Sequence, residues 1–506
     1  MLWVLVLVTA VIGAAQYWWS RRKIYKLKAE VPGLPNSNLI FGQGLGFIGN
    51  SEDRMKHLQE MGKWTNEYGG LASAWLGNRL FICLTDPPSI EVVSKTCLAK
   101  DEFTLRFFRT AIGNGSIFAP VNIWHPRRKI NSPFYSLKNL NKIVPQFHTQ
   151  SIIMVDLMRA ELGKGDFSIW KYVTTYTFDA VGESAIGFKL NSQGNPDHYL
   201  LQAIDEGTHM VAKRALQPWL HPDVVYKNLP VYKQFQKHLE GAYAFLDKVI
   251  KSKRLEVKEN KNNRKTDRTN FLEVLIESSG GIHNGYSEVE LREEIMVMMV
   301  AGNDTSATAV CFAAVLLSRY PEVQEKVLQE LREVFGDSDR EVTAEDLPRL
   351  KYLEAVFKES LRLYPPVPVV AREVHSDVVL PSGTTLVDGT SVMINIWGLH
   401  RSAAWWGADA DQFRPERFWR PSSDTKRCSC PSATLLGIRI KTHCQAYAML
   451  SSKTALANLL RRYRLLPPEG ARDADLQRPL PVKYDIMMKA NDGFAVRIEE
   501  RSPSAT

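Results

Sequence analysis

The sequence predicts a predominantly α-helical fold with a minor β region, behind an N-terminal membrane anchor. Three observations predict it. Residues 1–20 contain no charged side chain, and apolar residues recur at helical spacing over much of residues 140–370. Strand-like alternation is sparse and is found at 71–84, 378–394 and 492–499.

Length and composition describe a large globular chain with ample core-forming residues. The chain has 506 residues, of which 44% are hydrophobic and 24% charged, and it contains six cysteines. These proportions exclude a disordered, collagen-like or disulfide-scaffold protein. The formal net charge is +9, but much of the excess lies in one short stretch at 21–28. The charge therefore does not indicate a nucleic-acid partner.

The apolar run at residues 1–20 is long enough to cross a bilayer, for which a helix needs about 17 to 25 apolar residues. A cleaved signal peptide is the alternative, but the run lacks a positively charged start. Trp18 and Trp19 precede a basic cluster, which is typical of a membrane interface. Because the positive charges follow the apolar run, the positive-inside rule places the rest of the chain in the cytosol.

Residues 21–38 are a basic and proline-rich segment between the anchor and the body. Pro32 and Pro35 fix the backbone φ angle and lack an amide donor, so this segment is predicted to end as a non-helical hinge. The body then spans residues 39–506. Within it, a polar basic stretch at 251–268 is predicted to be a solvated connection.

The stretch AGNDTS lies in a helix that is predicted to begin near Ser287 and to end at about Arg319. The residues before it are apolar on every side, as expected of a helix through a large core. Gly302 allows another group to approach closely, and burying Asp304 beside Thr305 is costly without a partner or a purpose. The plainer interpretation is a core helix whose polar side chains bond to backbone carbonyls.

Three further motifs contain arginine. In KESLRLYPPVPVVARE, Glu359 and Arg362 share a helix face, which alone predicts a surface ion pair. Arg372 follows in an extended segment, where its planar guanidinium suits a cofactor carboxylate. IWHPRRK places Trp124 and Arg128 one helical turn apart, and FRPERFW is the third motif. Arginine and tryptophan also pair for purely structural reasons.

Taken in order, the anchor, the proline-rich segment, WxxxR, AGxDT, ExxR, PERF and QAYAMLSSKTALANLLRRYRL resemble a microsomal cytochrome P450, a haem-thiolate monooxygenase. The passages LHR…WG…FRPERF and AMLSSKTALANLLRR are most similar to the branch containing fatty-acid ω-hydroxylases and their insect relatives. The resemblance covers essentially the whole chain. It implies the cytochrome P450 fold and haem, iron protoporphyrin IX, as the cofactor.

The resemblance also implies roles for the matching residues. Asp304 and Thr305 match the acid–alcohol pair that relays protons during oxygen activation. Glu359, Arg362 and Arg417 match a buried ion-pair network that supports the haem pocket. The side chains expected at the haem propionates are Trp124, Arg128, Arg372 and Arg439.

The chain departs from the family pattern at the axial cysteine. The signature FxxGxRxCxG holds a thiolate iron ligand near the start of a helix, whereas this chain has CSCPSATLLGIRIKTHCQAYAML. Counting forward from Gly437 and Arg439 puts the cysteine at Lys441, and counting back from QAYAML puts it at Thr442. The metal ligand we predict is Cys444, two or three positions later.

Three other interpretations of this stretch stay open. Thiolate ligation is lost, and His443 or no residue binds iron. Residues 425–444 are a misread frame or splice in an otherwise ordinary family member. Cys428, Cys430, His443 and Cys444 form a zinc site, although adjacent ligands are awkward for tetrahedral geometry.

These inferences predict an enzyme, an NADPH-reductase-dependent haem monooxygenase that hydroxylates a lipophilic substrate such as a fatty acid, hormone or xenobiotic. NADPH-cytochrome reductase would supply the electrons. The expected location is the endoplasmic reticulum membrane, with the catalytic domain facing the cytosol. The alternative is a catalytically silent, membrane-anchored relative without the axial thiolate, which binds a lipophile or a protein partner.

Overall fold

The computed structural model describes residues 2–262, 270–278, 286–419, 443–472, 476 and 478–501. Side chains are described for all of these except Leu2, 260–262, His443 and Cys444.

The described chain is mainly helical, which confirms the predicted fold class. Its helices are α1 (Leu2–Ser20), α2 (Arg22–Glu30), α3 (Ser51–Glu67), α4 (Pro87–Thr96), α5 (Glu102–Ile112), α6 (Val121–Asn131), α7 (Leu137–Met158), α8 (Trp170–Val181), α9 (Tyr199–Leu216), α10 (Asp223–Lys227), α11 (Pro230–Asn262), α12 (Phe271–Glu277), α13 (Glu288–Arg319), α14 (Pro321–Phe335), α15 (Lys351–Leu363), α16 (Ile396–Leu399), α17 (Ala403–Trp406), α18 (Glu416–Trp419) and α19 (His443–Arg462).

Among the described residues, the strands form four small sheets. They are β1 (Leu71–Leu76), β2 (Arg79–Leu84), β3 (Phe167–Ser168), β4 (Val369–Glu373), β5 (Val378–Val379), β6 (Thr385–Leu386), β7 (Ser391–Asn395), β8 (Tyr463–Leu466), β9 (Val482–Tyr484), β10 (Met488–Ala490) and β11 (Ala495–Glu500). The largest sheet has the order β1-β2-β7-β4, in which only the β2–β7 pair is parallel. Strands β3, β11 and β8 form a second sheet, and β9–β10 and β5–β6 are two-stranded.

Helix α13 crosses the core and positions the candidate site. The Ser287 hydroxyl accepts a hydrogen bond from the Glu290 amide, and the Glu290 carboxylate accepts one from the Ser287 amide. Most of the helix is buried, and it packs against α8, α15 and α19. A Cβ on Gly302 would lie 2.9 Å from Val181 of α8, so glycine permits this close packing. The predicted helix, ending at Arg319, is confirmed.

Helix α1 is exposed along its described length. Among the described helices, two are long and apolar enough to cross a membrane, α1 and α13. Because α13 is largely buried inside the body, α1 is the candidate anchor.

The segment at 21–38 packs on the body, and it is non-helical beyond Glu30. Helix α2 buries Ile24 and Leu27 against the apolar core beside the largest sheet. Beyond the helix, the Leu34 amide donates to the Ser73 carbonyl of β1 at 2.9 Å. Apolar residues at helical spacing give α2 a face to bury.

Helix α11 continues into the basic stretch at 251–268 and ends at Asn262. Lys253 lies 2.7 Å from a Glu256 carboxylate oxygen and 3.6 Å from one of Glu273. The first part of the stretch is therefore helical, although most of its side chains through 259 are exposed, as predicted. The remainder lies outside the described residues.

Candidate active site

The predicted acid–alcohol pair lies beside two adjoining cavities. One, of about 190 Å³, is lined mainly by aliphatic and aromatic side chains of α5, α9, α11 and α13. The second, of about 490 Å³, carries charged and polar side chains, among them Lys171, Asp205 and Lys489. Thr305 lines the apolar cavity alone, whereas Asp304 lines both. The carboxyl group therefore lies at the boundary between a polar and an apolar space.

Asp304 and Thr305 have defined partners. The Thr305 hydroxyl donates to the Ala301 carbonyl at 2.6 Å, the backbone contact that the plainer interpretation expects. Asp304 Oδ1 lies 3.1 Å from Lys489 Nζ on β10. Burial raises the pKa of the Asp304 carboxyl, and the Lys489 ammonium opposes the rise. A carboxyl group with a raised pKa is suited to holding and donating a proton.

The predicted propionate ligands come together from α6 and β4. The Arg128 guanidinium lies 5.3 Å from the centre of the Trp124 ring, so the WxxxR spacing places both on one face of α6. Arg372 is 7% exposed and pairs with Val392 in the β4–β7 register. An isolated β-bridge places Lys100 opposite Arg372. Lys100 lies outside the sequence motifs described above.

Lys100 and Arg372 have no acidic partner within the part of the chain that the structure describes. Arg372 donates to the carbonyl of the preceding residue at 2.8 Å, and Lys100 donates to the Ile117 carbonyl. Burial and the charges of Arg372, Arg109 and Arg128 lower the pKa of Lys100 to about 7. Burial also lowers the pKa of Arg372. Because cations partly or wholly removed from water are costly without an anion, the cluster fits a ligand that carries carboxylates, as haem does.

The ExxR and PERF motifs form a closed, buried ion-pair network. Arg362 donates through Nε and Nη2 to the two Glu359 carboxylate oxygens, both at 2.7 Å, and both side chains are 0% exposed. Arg417 of α18 places its Nε 3.4 Å from Glu359 Oε1. Arg362 also donates to the carbonyl groups of His400, Ala410 and Gln412. The spacing alone predicts a surface pair, but the segment that supplies these carbonyls covers it.

Arg127 is a buried residue whose role its sequence motif does not predict. Its Nη2 lies 2.7 Å from Glu290 Oε1, and its Nη1 lies 3.0 Å from Glu294 Oε1. Burial raises the pKa of the Glu294 carboxyl, and Arg127 opposes that rise. The contacts hold α6, and with it Arg128, against α13. The sequence does contain a signal for this contact. Glu290 and Glu294 lie four residues apart before the apolar part of α13, and two buried acids on one helix face need a cationic partner.

The axial-ligand stretch lies largely outside the described residues. Arg439, and the Cys428 and Cys430 of the zinc interpretation, fall in it. Helix α19 begins at His443, which places Cys444 in its first turn, but that side chain also lies outside the description. The propionate contact of Arg439 and iron ligation by Cys444 therefore stay predictions.

Known proteins are similar to this chain along nearly its whole length. The family model described as Cytochrome P450 matches residues 32–490. Cytochrome P450 4c21 of Blattella germanica is 30% identical over 90% of this chain and 92% of that protein. Cytochrome P450 4d2 of Drosophila melanogaster is 31% identical over 89% of this chain and 91% of that protein. Cytochrome P450 4V2 of Homo sapiens is 28% identical over 99% of this chain and 94% of that protein. The chain therefore belongs to the cytochrome P450 family and is a haem-dependent monooxygenase of the branch that contains these relatives.

Proposed function

We propose that this haem monooxygenase hydroxylates a lipophilic molecule held in the apolar cavity beside Thr305, with electrons from NADPH delivered by NADPH-cytochrome reductase. The position of Asp304 is the observation that carries the proposal. Its carboxyl group borders both the polar cavity and the apolar cavity. A proton can thus pass from the polar cavity to the apolar cavity through the Asp304 carboxyl group, while the aliphatic lining keeps bulk water out of the apolar cavity.

When bound, haem supplies the reduction and cleavage of dioxygen. Arg372, Arg128 and Trp124 would hold its carboxylates. The lack of a described acidic partner for Lys100 and Arg372 supports this placement. Asp304 holds a proton at its carboxyl group, which burial favours, and passes it to the Thr305 hydroxyl oxygen. Thr305 would then turn its hydroxyl proton away from the Ala301 carbonyl and donate it to the oxygen atom that leaves as water.

Isotopic oxygen tests the reaction. The full-length protein is incubated with reductase, NADPH, ¹⁸O₂ and candidate fatty acids, hormones or foreign compounds. We expect a product with one ¹⁸O atom, and Asp304→Asn should slow its formation because the carboxyl proton is lost. A full-length protein that binds lipophiles but forms no oxygenated product would favour the silent relative instead.

We propose Cys444 as the thiolate ligand of the haem iron. Its place in the first turn of α19 supports this, because amide groups and the helix dipole stabilise a thiolate there. The reduced carbon-monoxide difference spectrum should show the red-shifted Soret band of a thiolate-ligated haem. Cys444→Ser should abolish the band and Cys430→Ser should leave it unchanged. An intact band in Cys444→Ser would reject this ligand, and sequencing the transcript across 425–444 tests the misread-frame interpretation.

We also propose that α1 anchors the protein in the endoplasmic reticulum membrane, with the body on the cytosolic side. The exposed apolar helix and the basic residues that follow it support this orientation. In intact microsomes, added protease should digest the body. Alkaline carbonate should release a chain lacking residues 2–20 but not the full chain. A protease-protected body would contradict the orientation.

A further inference from the structure

One side chain holds the junction between the apolar helix α1 and the body. We propose that Arg21 forms a clasp, through its contacts with Tyr17, Tyr25, Trp75 and Asn78, which makes the membrane helix and the body move as one unit. The inference rests on the proposed membrane anchor and goes beyond it, because an anchor alone leaves the body free to pivot.

The backbone has a break between α1 and α2 at which the chain can bend. Arg21 lies at this break with φ −101° and ψ 5°. Backbone hydrogen bonds cross it: the Arg21 amide donates to the Tyr17 and Trp18 carbonyls at 3.3 and 3.2 Å. The Tyr25 amide donates to the Arg21 carbonyl at 3.1 Å. Such bonds open and close in solution, so a rigid junction also needs side-chain contacts.

The Arg21 guanidinium contacts all three pieces of the chain that meet at the break. It donates to the Tyr17 hydroxyl of α1 and lies 5.3 Å from the centre of that ring. It lies 6.0 Å from the Tyr25 ring of α2 and 5.5 Å from the Trp75 ring of β1. Its Nη2 donates at 2.5 Å to the Asn78 carbonyl in the β1–β2 turn. A planar cation suits this place because it stacks on aromatic faces while its N–H groups donate.

Helix α2 is itself held on the body, so that fixing the angle between α1 and α2 also fixes α1. Ile24 and Leu27 are buried in the core beside the largest sheet. Lys23 Nζ lies 3.1 Å from an Asp377 carboxylate oxygen. The clasp therefore joins an exposed apolar helix to a helix that is already packed.

The clasp also determines which surface of the body lies at the lipid headgroups. The Gly77 amide donates to the Phe41 carbonyl at 3.1 Å, which places the tip at residues 39–41 beside the β1–β2 turn. At this tip Leu39 and Ile40 are 101% and 72% exposed. With Arg21 clasped, these apolar side chains lie near the end of the membrane helix, where lipid covers them.

A flexible tether is the competing explanation. Arg21 would then only attract anionic headgroups, and Arg22 would serve equally well. The contacts of Arg22 do not reach the body: it donates to the Trp19 carbonyl at 2.9 Å and lies 4.3 Å from the Trp19 ring. Two adjacent arginines thus carry the same charge but differ in their contacts, and they form a matched pair of positions.

Hydrogen exchange of the full-length protein in phosphatidylcholine–phosphatidylserine nanodiscs separates the two explanations. Arg21→Gln should speed amide exchange at residues 21–25 by about fivefold or more, because losing the clasp populates the open junction. Trp75→Ala should act in the same direction. Arg22→Gln should stay within about twofold of the wild type. Urea unfolding shows whether the variants fold, and Trp75→Phe replaces Trp75→Ala if the latter does not.

The position of the 39–41 tip gives the second readout. A fluorescent amino acid incorporated at position 40 should be quenched by lipids that carry a nitroxide near the headgroup. Arg21→Gln should reduce this quenching, and Arg22→Gln should leave it unchanged. Exchange and quenching in Arg21→Gln equal to those of the wild type would overturn the clasp and leave the anchor intact. Release of the full chain from membranes by alkaline carbonate would overturn the anchor itself, and the inference with it.

Discussion

Two groups of cations in this protein differ in whether acidic side chains of the chain itself match their charge. In the first, Arg362 uses every side of its guanidinium, on Glu359 and on three carbonyl groups. In the second, Lys100 and Arg372 donate to one carbonyl each and, in the described chain, meet no acid. The first network is complete without a ligand. The second indicates where a ligand must supply negative charge.

The two groups lie close together in the chain. Helix α15, which carries Arg362, ends at Leu363, and β4, which carries Arg372, begins at Val369. The proline-rich residues between them join a matched arginine to an unmatched one. The buried network therefore lies at the end of the helix that leads into β4.

The largest expected effect comes from breaking the matched network. Glu359→Ala leaves Arg362 buried without a carboxylate, so we expect a loss of about 3–5 kcal/mol in the free energy of unfolding. Urea unfolding measures this loss. Lys95→Ala, which removes an exposed partner of Glu91, should cost under about 1 kcal/mol. A small loss for Glu359→Ala would show that the network does not support the fold.

Removing a cation from the unmatched group should act on haem and not on the fold. Arg372→Met should weaken haem retention by about 10- to 100-fold, because it removes a charged hydrogen-bond donor worth about 1.5–3 kcal/mol. The haem-free chain should unfold at the same or a higher urea concentration, since a repelling charge is gone. Arg372→Lys keeps the charge and should lose less haem. A destabilised haem-free Arg372→Met would place this residue with the structural network.

The contrast between the two groups also explains how far the sequence could be interpreted. The limits of α13 are predictable because the Ser287 cap and the apolar run that follows are local features. The Glu359–Arg362 spacing predicts a shared face but not its burial, because residues 400–412 provide the cover. A pattern within one element therefore indicates a pair, while its environment depends on distant segments.

Lys100 and Arg127 also show that the environment of a residue depends on distant segments. Lys100 gains its role from Arg372, and Arg127 from Glu290 and Glu294, which follow it by more than a hundred residues. Each is flanked by a more conspicuous feature of the sequence, so that neither forms a motif alone. Only the fold brings these partners together. In the same way, the packing of α2 on the core beside the largest sheet depends on distant residues and cannot be predicted from residues 21–38 alone.

A smaller effect should appear in the pH dependence of stability. The pKa of Lys100 is about 7 in the folded chain and about 10.4 in an ordinary unfolded chain. The unfolded chain therefore binds more protons between these values, and stability should rise with pH there, by less than about 1.4 kcal/mol per pH unit. Below pH 7, where Lys100 is protonated in both the folded and the unfolded chain, its charge destabilises the folded chain by the full amount.

Urea unfolding from pH 6 to 10 tests this dependence on the haem-free protein. The difference between the wild type and Lys100→Met isolates the one group from the other titrating residues. The wild type should gain stability relative to the variant as the pH rises, and bound haem should remove that gain. A difference that does not change with pH would mean that Lys100 is not held among unmatched charges.

The smallest expected effect on stability concerns two threonines of α13. Thr305 bonds to the Ala301 carbonyl, whereas the buried Thr308 hydroxyl has no hydrogen-bond partner among the described residues. Thr305→Ala should cost about 1 kcal/mol or less in urea unfolding, and Thr308→Ala should cost no more.

The catalytic effects of the two threonine substitutions should differ. With reductase and NADPH, Thr305→Ala should release several-fold more peroxide per NADPH oxidised, because the proton held by Asp304 loses its relay, while Thr308→Ala should match the wild type. Unchanged peroxide release in Thr305→Ala would show that its bond to Ala301 is structural and that Asp304 delivers the proton without it.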